Sequence, residues 1–67
     1  MVDHAALIKV IEASGMKKSA VAGKLGVTPQ TLSNKLNGAT ELTISEVEKL
    51  CEILRITKAQ RQQIFFG

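Results

Sequence analysis

Tryptophan and tyrosine are absent from this sequence, and its only aromatics are two phenylalanines, Phe65 and Phe66. Any core must therefore be built from Leu, Ile, Val and Ala, small aliphatics that at helical spacing suit close helix packing. Proline appears once, and no stretch alternates apolar and polar residues long enough to suggest a strand. The single cysteine, Cys51, excludes an intramolecular disulfide and fits a reducing compartment. No apolar run approaches the roughly 20 residues of a membrane span. The amino terminus, Met-Val-Asp-His-Ala, opens with an acid and lacks the basic region of a signal peptide. The expectation is a cytoplasmic, all-α protein with no membrane partner.

Catalytic chemistry is also missing. The one histidine, His4, reads as a surface residue near the terminus, and Cys51 as a small hydrophobe on an apolar stripe. No carboxylate pair has a base or metal ligand at a useful spacing, and no glycine-rich phosphate loop exists. Neither an enzyme, a metal site nor a cofactor is expected. With 67 residues there is room for a single domain, residues 1–67, and one small core. A 45% hydrophobic content and a mean hydropathy of +0.11 argue against disorder.

The most informative absence is of acids. Between Glu12 and Glu41 there is none, while Lys17, Lys18, Lys24 and Lys35 all fall there. The flanking segments carry all six acids and come out near neutral, so the net charge of +3 resides in the middle. Four lysines alone would suit an ordinary solvated face. A positive middle between neutral ends is also what a phosphate-facing surface needs.

Five helical segments have recognisable ends. The first runs from about Asp3 to Ser14, with Asp3 as cap, Leu7, Ile8 and Ile11 as stripe, and Gly15 as terminator. The second runs from about Lys18 to Leu25, with Val21, Ala22 and Leu25 on one face and Gly26 closing it. The third runs from about Thr28 to Asn37: Thr28 caps, Pro29 takes the first helical position, and Gly38 closes. The fourth, about Thr43 to Leu54, opens with the capping box Thr43-Ile-Ser-Glu46 and carries Ile44, Val47, Leu50, Cys51 and Leu54 as its stripe. The fifth, about Thr57 to Phe66, repeats the capping pattern in Thr57-Lys-Ala-Gln60.

Function concentrates in Lys17 to Gly38. Two helices of about two turns are joined only by Gly26 and Val27, which forces a sharp crossing. Ala22 supplies the small residue such a crossing needs, and Val21, Leu25, Val27 and Leu32 fill the wedge. In that geometry the second helix projects and can enter a major groove. With Leu32 and Leu36 inward, about 100° per residue turns Gln30, Asn34 and Asn37 outward, with Thr31 and Ser33 on the flanks. Glu would be a better helix former and solubiliser there. Gln and Asn carry a donor beside an acceptor, which matches the N6 and N7 edge of adenine. Gln30, Thr31 and Asn34 are thus candidate base contacts. Candidate phosphate contacts are Lys17, Lys18 and Ser19 at the start of the second helix, Thr28 and Ser33 on the third, and Lys35, Asn37 and Thr40 near its far end.

The residues Ala22, Gly26, Val27 and Leu32, with the closing Leu36-Asn37-Gly38, make this chain resemble the Cro/repressor helix-turn-helix proteins of phages, the xenobiotic response element family. The resemblance covers nearly the whole chain. It implies a compact five-helix bundle of the lambda-repressor-like DNA-binding type, with the motif at helices two and three. It also implies sequence-specific binding of double-stranded DNA by a small transcriptional regulator. By resemblance, Gln30, Thr31 and Asn34 stand at base-reading positions, and Lys18 and Asn37 at phosphate positions. The closing Asn-Gly-x-Thr-Glu-Leu-Thr and the terminal Ile-Phe-Phe look like short prophage-encoded regulators.

Two positions depart from the family pattern. Lys35 stands where an apolar residue is usual, and its stem could pack while its ammonium reaches outward. Glu41 stands in a loop where many relatives place a base, which weakens that loop as a backbone contact. A domain this small reads few base pairs, so a weak homodimer through Ile64, Phe65 and Phe66 is expected, with half-sites about 34–36 Å apart; the alternative is that all three pack under the first helix. No small-molecule ligand is expected. The competing reading is a protein-interaction module on the same fold, antirepressor-like or antitoxin-like, because a fold does not by itself grant an activity.

Overall fold

Local capping chemistry sets the helix boundaries. The computed structural model describes residues 2–66 and places α1 at His4–Ser14, α2 at Lys18–Leu25, α3 at Pro29–Leu36, α4 at Ile44–Ile53 and α5 at Lys58–Phe65. These differ from the sequence expectation only where a capping residue had been counted inside the helix. The Asp3 carboxylate accepts from the Ala6 amide at 3.0 Å, and Thr28 from Thr31 at 3.1 Å. At Thr43 and Thr57 the capping boxes are complete: each hydroxyl accepts from the third helical amide while Glu46 or Gln60 accepts from the cap amide.

The helices close around one core that is aliphatic except for Phe65. It holds Leu7 and Ile11 from α1, Val21, Ala22 and Leu25 from α2, Leu32 and Leu36 from α3, Val47 and Leu50 from α4, and Ile64 and Phe65 from α5. Each fully buried Leu or Ile contributes about 1.5–3 kcal/mol. Helix α2 sits centrally, packed on both α3 and α4, while α1 lies against α3 and α5. No strand occurs among the described residues.

Two expectations about apolar residues require correction. Ile64 and Phe65 are core residues rather than a free surface, and the backbone amide of Asp3 ties α5 to α1 through a 2.6 Å bond to the Ile64 carbonyl. Conversely Ile44, expected in the apolar stripe of α4, is 78% exposed. It occupies the first helical position, where α4 has not yet met the bundle.

Helix α4 ends unusually. Arg55 follows its C-cap with φ +52°, the one left-handed non-glycine residue described, and the Ile56 amide bonds back to the Cys51 carbonyl at 2.9 Å. That is a glycine position occupied by a side chain. Arg55→Gly should therefore stabilise by about 0.5–1 kcal/mol, seen as a Tm rise of about 4 °C. An unchanged or lowered Tm would show that the strain is offset by contacts of the arginine.

Candidate nucleic-acid interface

The α2–α3 connection is built from two residues. Gly26 takes φ +86°, and the amides of Gly26 and Val27 bond to the Ala22 carbonyl at 2.9 and 3.0 Å. A side chain at Gly26 would meet nothing within 4 Å, so glycine is needed there for its backbone freedom rather than for space. Ala22 is fully buried where the helices meet. Val21, Leu25 and Leu32 are buried and Val27 half-buried, as a wedge between two short helices requires.

Helix α3 turns Leu32 and Leu36 inward and leaves Gln30 exposed, with Asn34 half-exposed one turn further on. The two are linked: Gln30 Nε2 donates to Asn34 Oδ1 at 3.2 Å. That link leaves Gln30 Oε1 free to accept and Asn34 Nδ2 free to donate. Thr31 is half-buried and its hydroxyl accepts from Thr28 Oγ1 at 2.9 Å, which leaves its own proton to donate. Ser33 is half-buried on the flank.

The start of α2 differs from the other four helix starts. Lys17 is its N-cap and makes no side-chain capping bond, while the amides of Ala20 and Val21 reach back to the Lys17 carbonyl. The amides of Lys18 and Ser19 have no intrahelical partner, and Lys17, Lys18 and Ser19 are all exposed. Two lysines, a hydroxyl and two free amides thus share one helix start. At the far end of α3, Asn37 and Thr40 are exposed, and the turn is held by the Ala39 amide on the Asn34 carbonyl at 2.9 Å.

Two candidate phosphate contacts are changed by the structure. The Thr28 hydroxyl is consumed, accepting from the Thr31 amide and donating to the Thr31 hydroxyl. Only the backbone of α3's first turn remains available there. Lys35 is turned inward and is only 9% exposed. Its stem packs as expected, but its ammonium does not reach out: Nζ lies 2.9 Å from Glu46 Oε1 and 3.0 Å from the Glu41 carbonyl. An ammonium so engaged is not free to meet phosphate. It instead fastens α3 to α4, and Glu41, through its backbone, belongs to the same fastening.

Glu46 therefore does two jobs, and sequence reading found only the cap. Burial by itself would raise its carboxyl. The Thr43 amide, the Lys35 ammonium and the Thr43 hydroxyl outweigh burial and hold it below its ordinary value. His4 was also underread. Its ring is half-buried against the turn that closes α3, and a Cβ on Gly38 would stand 3.4 Å from His4 Cε1. Gly38, at φ +79°, thus serves both a left-handed turn and a close approach. No local pattern signals a contact between residues 34 positions apart.

A short helix crossed sharply by a second, whose polar outer face projects beside an acid-free, lysine-bearing segment, is a helix-turn-helix. The family model for the Cro/C1-type HTH DNA-binding domain matches residues 6–60, and the chain belongs to that family. No curated protein and no solved structure matches the chain. Among the described residues no helix is long and apolar enough to cross a membrane.

Proposed function

We propose that this protein binds specific sequences in double-stranded DNA as a small transcriptional regulator of the phage repressor or Cro kind, acting in the cytoplasm with α3 in the major groove. The observation that carries this reading is the outer face of α3. There the Gln30–Asn34 link, Nε2 to Oδ1 at 3.2 Å, leaves Gln30 Oε1 to accept and Asn34 Nδ2 to donate. An adenine edge offers N6 as donor and N7 as acceptor, so Gln30 Oε1 and Asn34 Nδ2 match it. Thr31 adds a hydroxyl donor beside them.

Register comes from the phosphates. Lys17, Lys18 and Ser19, with the free amides of α2, form one anchor, since a helix start attracts anions. Ser33, Asn37 and Thr40 form the second anchor around the far end of α3. Lys35 is not in this set, because its charge is already neutralised by Glu46. The Thr28 hydroxyl is likewise left out, and the Gln30 amide at the same helix start takes its place.

The test is a titration of duplex DNA, random and selected, across a range of salt. Affinity should fall steeply as salt rises, and a Lys17→Ala/Lys18→Ala variant should lose about two units of the log–log slope, one for each phosphate released. It should weaken all sequences nearly equally. Absence of binding to any duplex even at low salt would reject the reading and turn attention to a protein partner.

A further inference from the structure

A groove of about 440 Å³ lies between α1 and the turn from α4 to α5, and no residue of α2, α3 or the turn after α3 lines it. Val10 and Leu54, both half-buried, and Ala13 supply its apolar surface, while Lys9, Arg55 and Gln60 stand exposed around it. The free polar groups along it are donors. Neither Lys9 nor Arg55 has an ion-pair partner among the described residues. The Thr57 amide occupies Gln60 Oε1 at 3.0 Å, which leaves Gln60 Nε2 to donate. The Ser14 hydroxyl is already engaged, donating to the Ile11 carbonyl and accepting from the Met16 amide. The nearest carboxylates along the chain, Glu12 and Glu52, do not line the groove.

Arg55 adds a second, independent observation. It is held at φ +52°, a conformation that glycine adopts without strain, and its guanidinium forms no ion pair among the described residues that would offset this. Backbone strain of this kind collects at binding and switch sites. Here it places a cation beside exposed apolar surface.

We infer that this groove docks an acidic segment of a partner protein. An aliphatic side chain of that segment lies against Val10, Ala13 and Leu54, and flanking carboxylates meet Lys9 and Arg55. Charge complementarity selects this occupant, because two cations and an amide donor border the apolar surface with no acid among the lining residues. A nucleic-acid backbone offers anions but no aliphatic side chain for the apolar part. Small ligands favour enclosed pockets, whereas most of this lining is exposed. The groove contains none of the residues assigned to DNA, so the inference stands independently of that assignment.

Titration of the isotopically labelled 67-residue chain, followed by its amide resonances, tests this. The probe is a capped peptide of about 12 residues, with leucine at every third or fourth position and Asp or Glu elsewhere. Saturable shifts should appear at Val10, Ala13, Arg55 and Gln60, with a Kd of about 10–100 µM that rises with salt. The same peptide with lysine in place of its acids should not bind. Lys9→Ala places the best helix former at an exposed position, and Arg55→Gly relieves the backbone, so neither variant should unfold. Together they should raise the peptide Kd about tenfold and leave DNA affinity unchanged. Lys17→Ala/Lys18→Ala should do the reverse. Absence of shifts up to about 1 mM peptide, equal binding of the basic peptide, or shifts confined to α2 and α3 would each overturn the inference. So would a Lys9→Ala/Arg55→Gly variant that binds the acidic peptide as the parent does, or one that loses DNA affinity instead.

Discussion

A Gln30→Ala/Asn34→Ala double variant should lose sequence selection while keeping the salt dependence of the parent. Gln30 and Asn34 together present one acceptor and one donor to one base edge, and such a pair contributes about 1–3 kcal/mol of discrimination against the wrong base. The selected duplex should therefore fall toward the affinity of random DNA. The anchors at Lys17, Lys18 and Ser19 remain, so the slope of log affinity against log salt should not change. Since Gln30 Nε2 bonds to Asn34 Oδ1, the two residues should not be additive. Losing either partner frees the other to rotate, so each single variant should show more than half of the full effect. A double variant that still prefers the selected duplex would place base reading elsewhere on the protein. A change in slope would mean that these amides act on phosphates instead.

The second large effect concerns stability. Glu46→Ala should destabilise by about 3 kcal/mol, of which about 1 reflects the lost cap and the rest the ammonium of Lys35 left without its counter-charge. A core this small rarely supplies more than about 3–5 kcal/mol, so the variant should be largely unfolded at 37 °C. Lys35→Met is the informative contrast. It keeps an apolar stem in the same space and leaves Glu46 capping Thr43, so it should change stability by less than about 1 kcal/mol. Chemical denaturation of the three proteins reads these differences directly. Equal losses in both variants would mean that the pair, rather than the stranded charge, sets the cost.

The same carboxylate makes stability depend on pH. Its folded pKa lies below its ordinary value of 4.5. The unfolded chain thus binds the proton more readily, and the stabilisation is complete above that value and disappears as pH falls through the folded pKa. The denaturation midpoint should drop on acidification below about pH 4.5. Glu46→Gln, which cannot titrate, should show a shallower acid limb. Parallel acid limbs would assign the effect to the other carboxylates.

Much of the fold was legible because its signals are local. A cap, a capping box or a terminating glycine acts within four residues, so Asp3, Thr28, Thr43 and Thr57 mark helix starts whatever the remaining chain does. The α2–α3 crossing follows from a two-residue link with a small residue at the contact, and both are visible in Ala22, Gly26 and Val27. The outward placement of Gln30 and Asn34 follows from helical periodicity alone.

Where a local rule left two outcomes, tertiary packing chose between them. Lys35 could send its ammonium outward or inward, and only the arrival of α4 beside α3 put Glu46 2.9 Å away. Ile44 and Phe65 are equally apolar in a sequence, yet one lies where α4 starts clear of the bundle and the other where α5 closes on the core. The ring of His4 against Gly38 likewise exists only because α1 returns to the end of α3. Residues near one another along the chain dictate where helices begin, how two of them cross and which polar face turns outward. Tertiary structure decided which charges remain free for a partner and which apolar side chains remain uncovered, because those depend on contacts between residues distant along the chain.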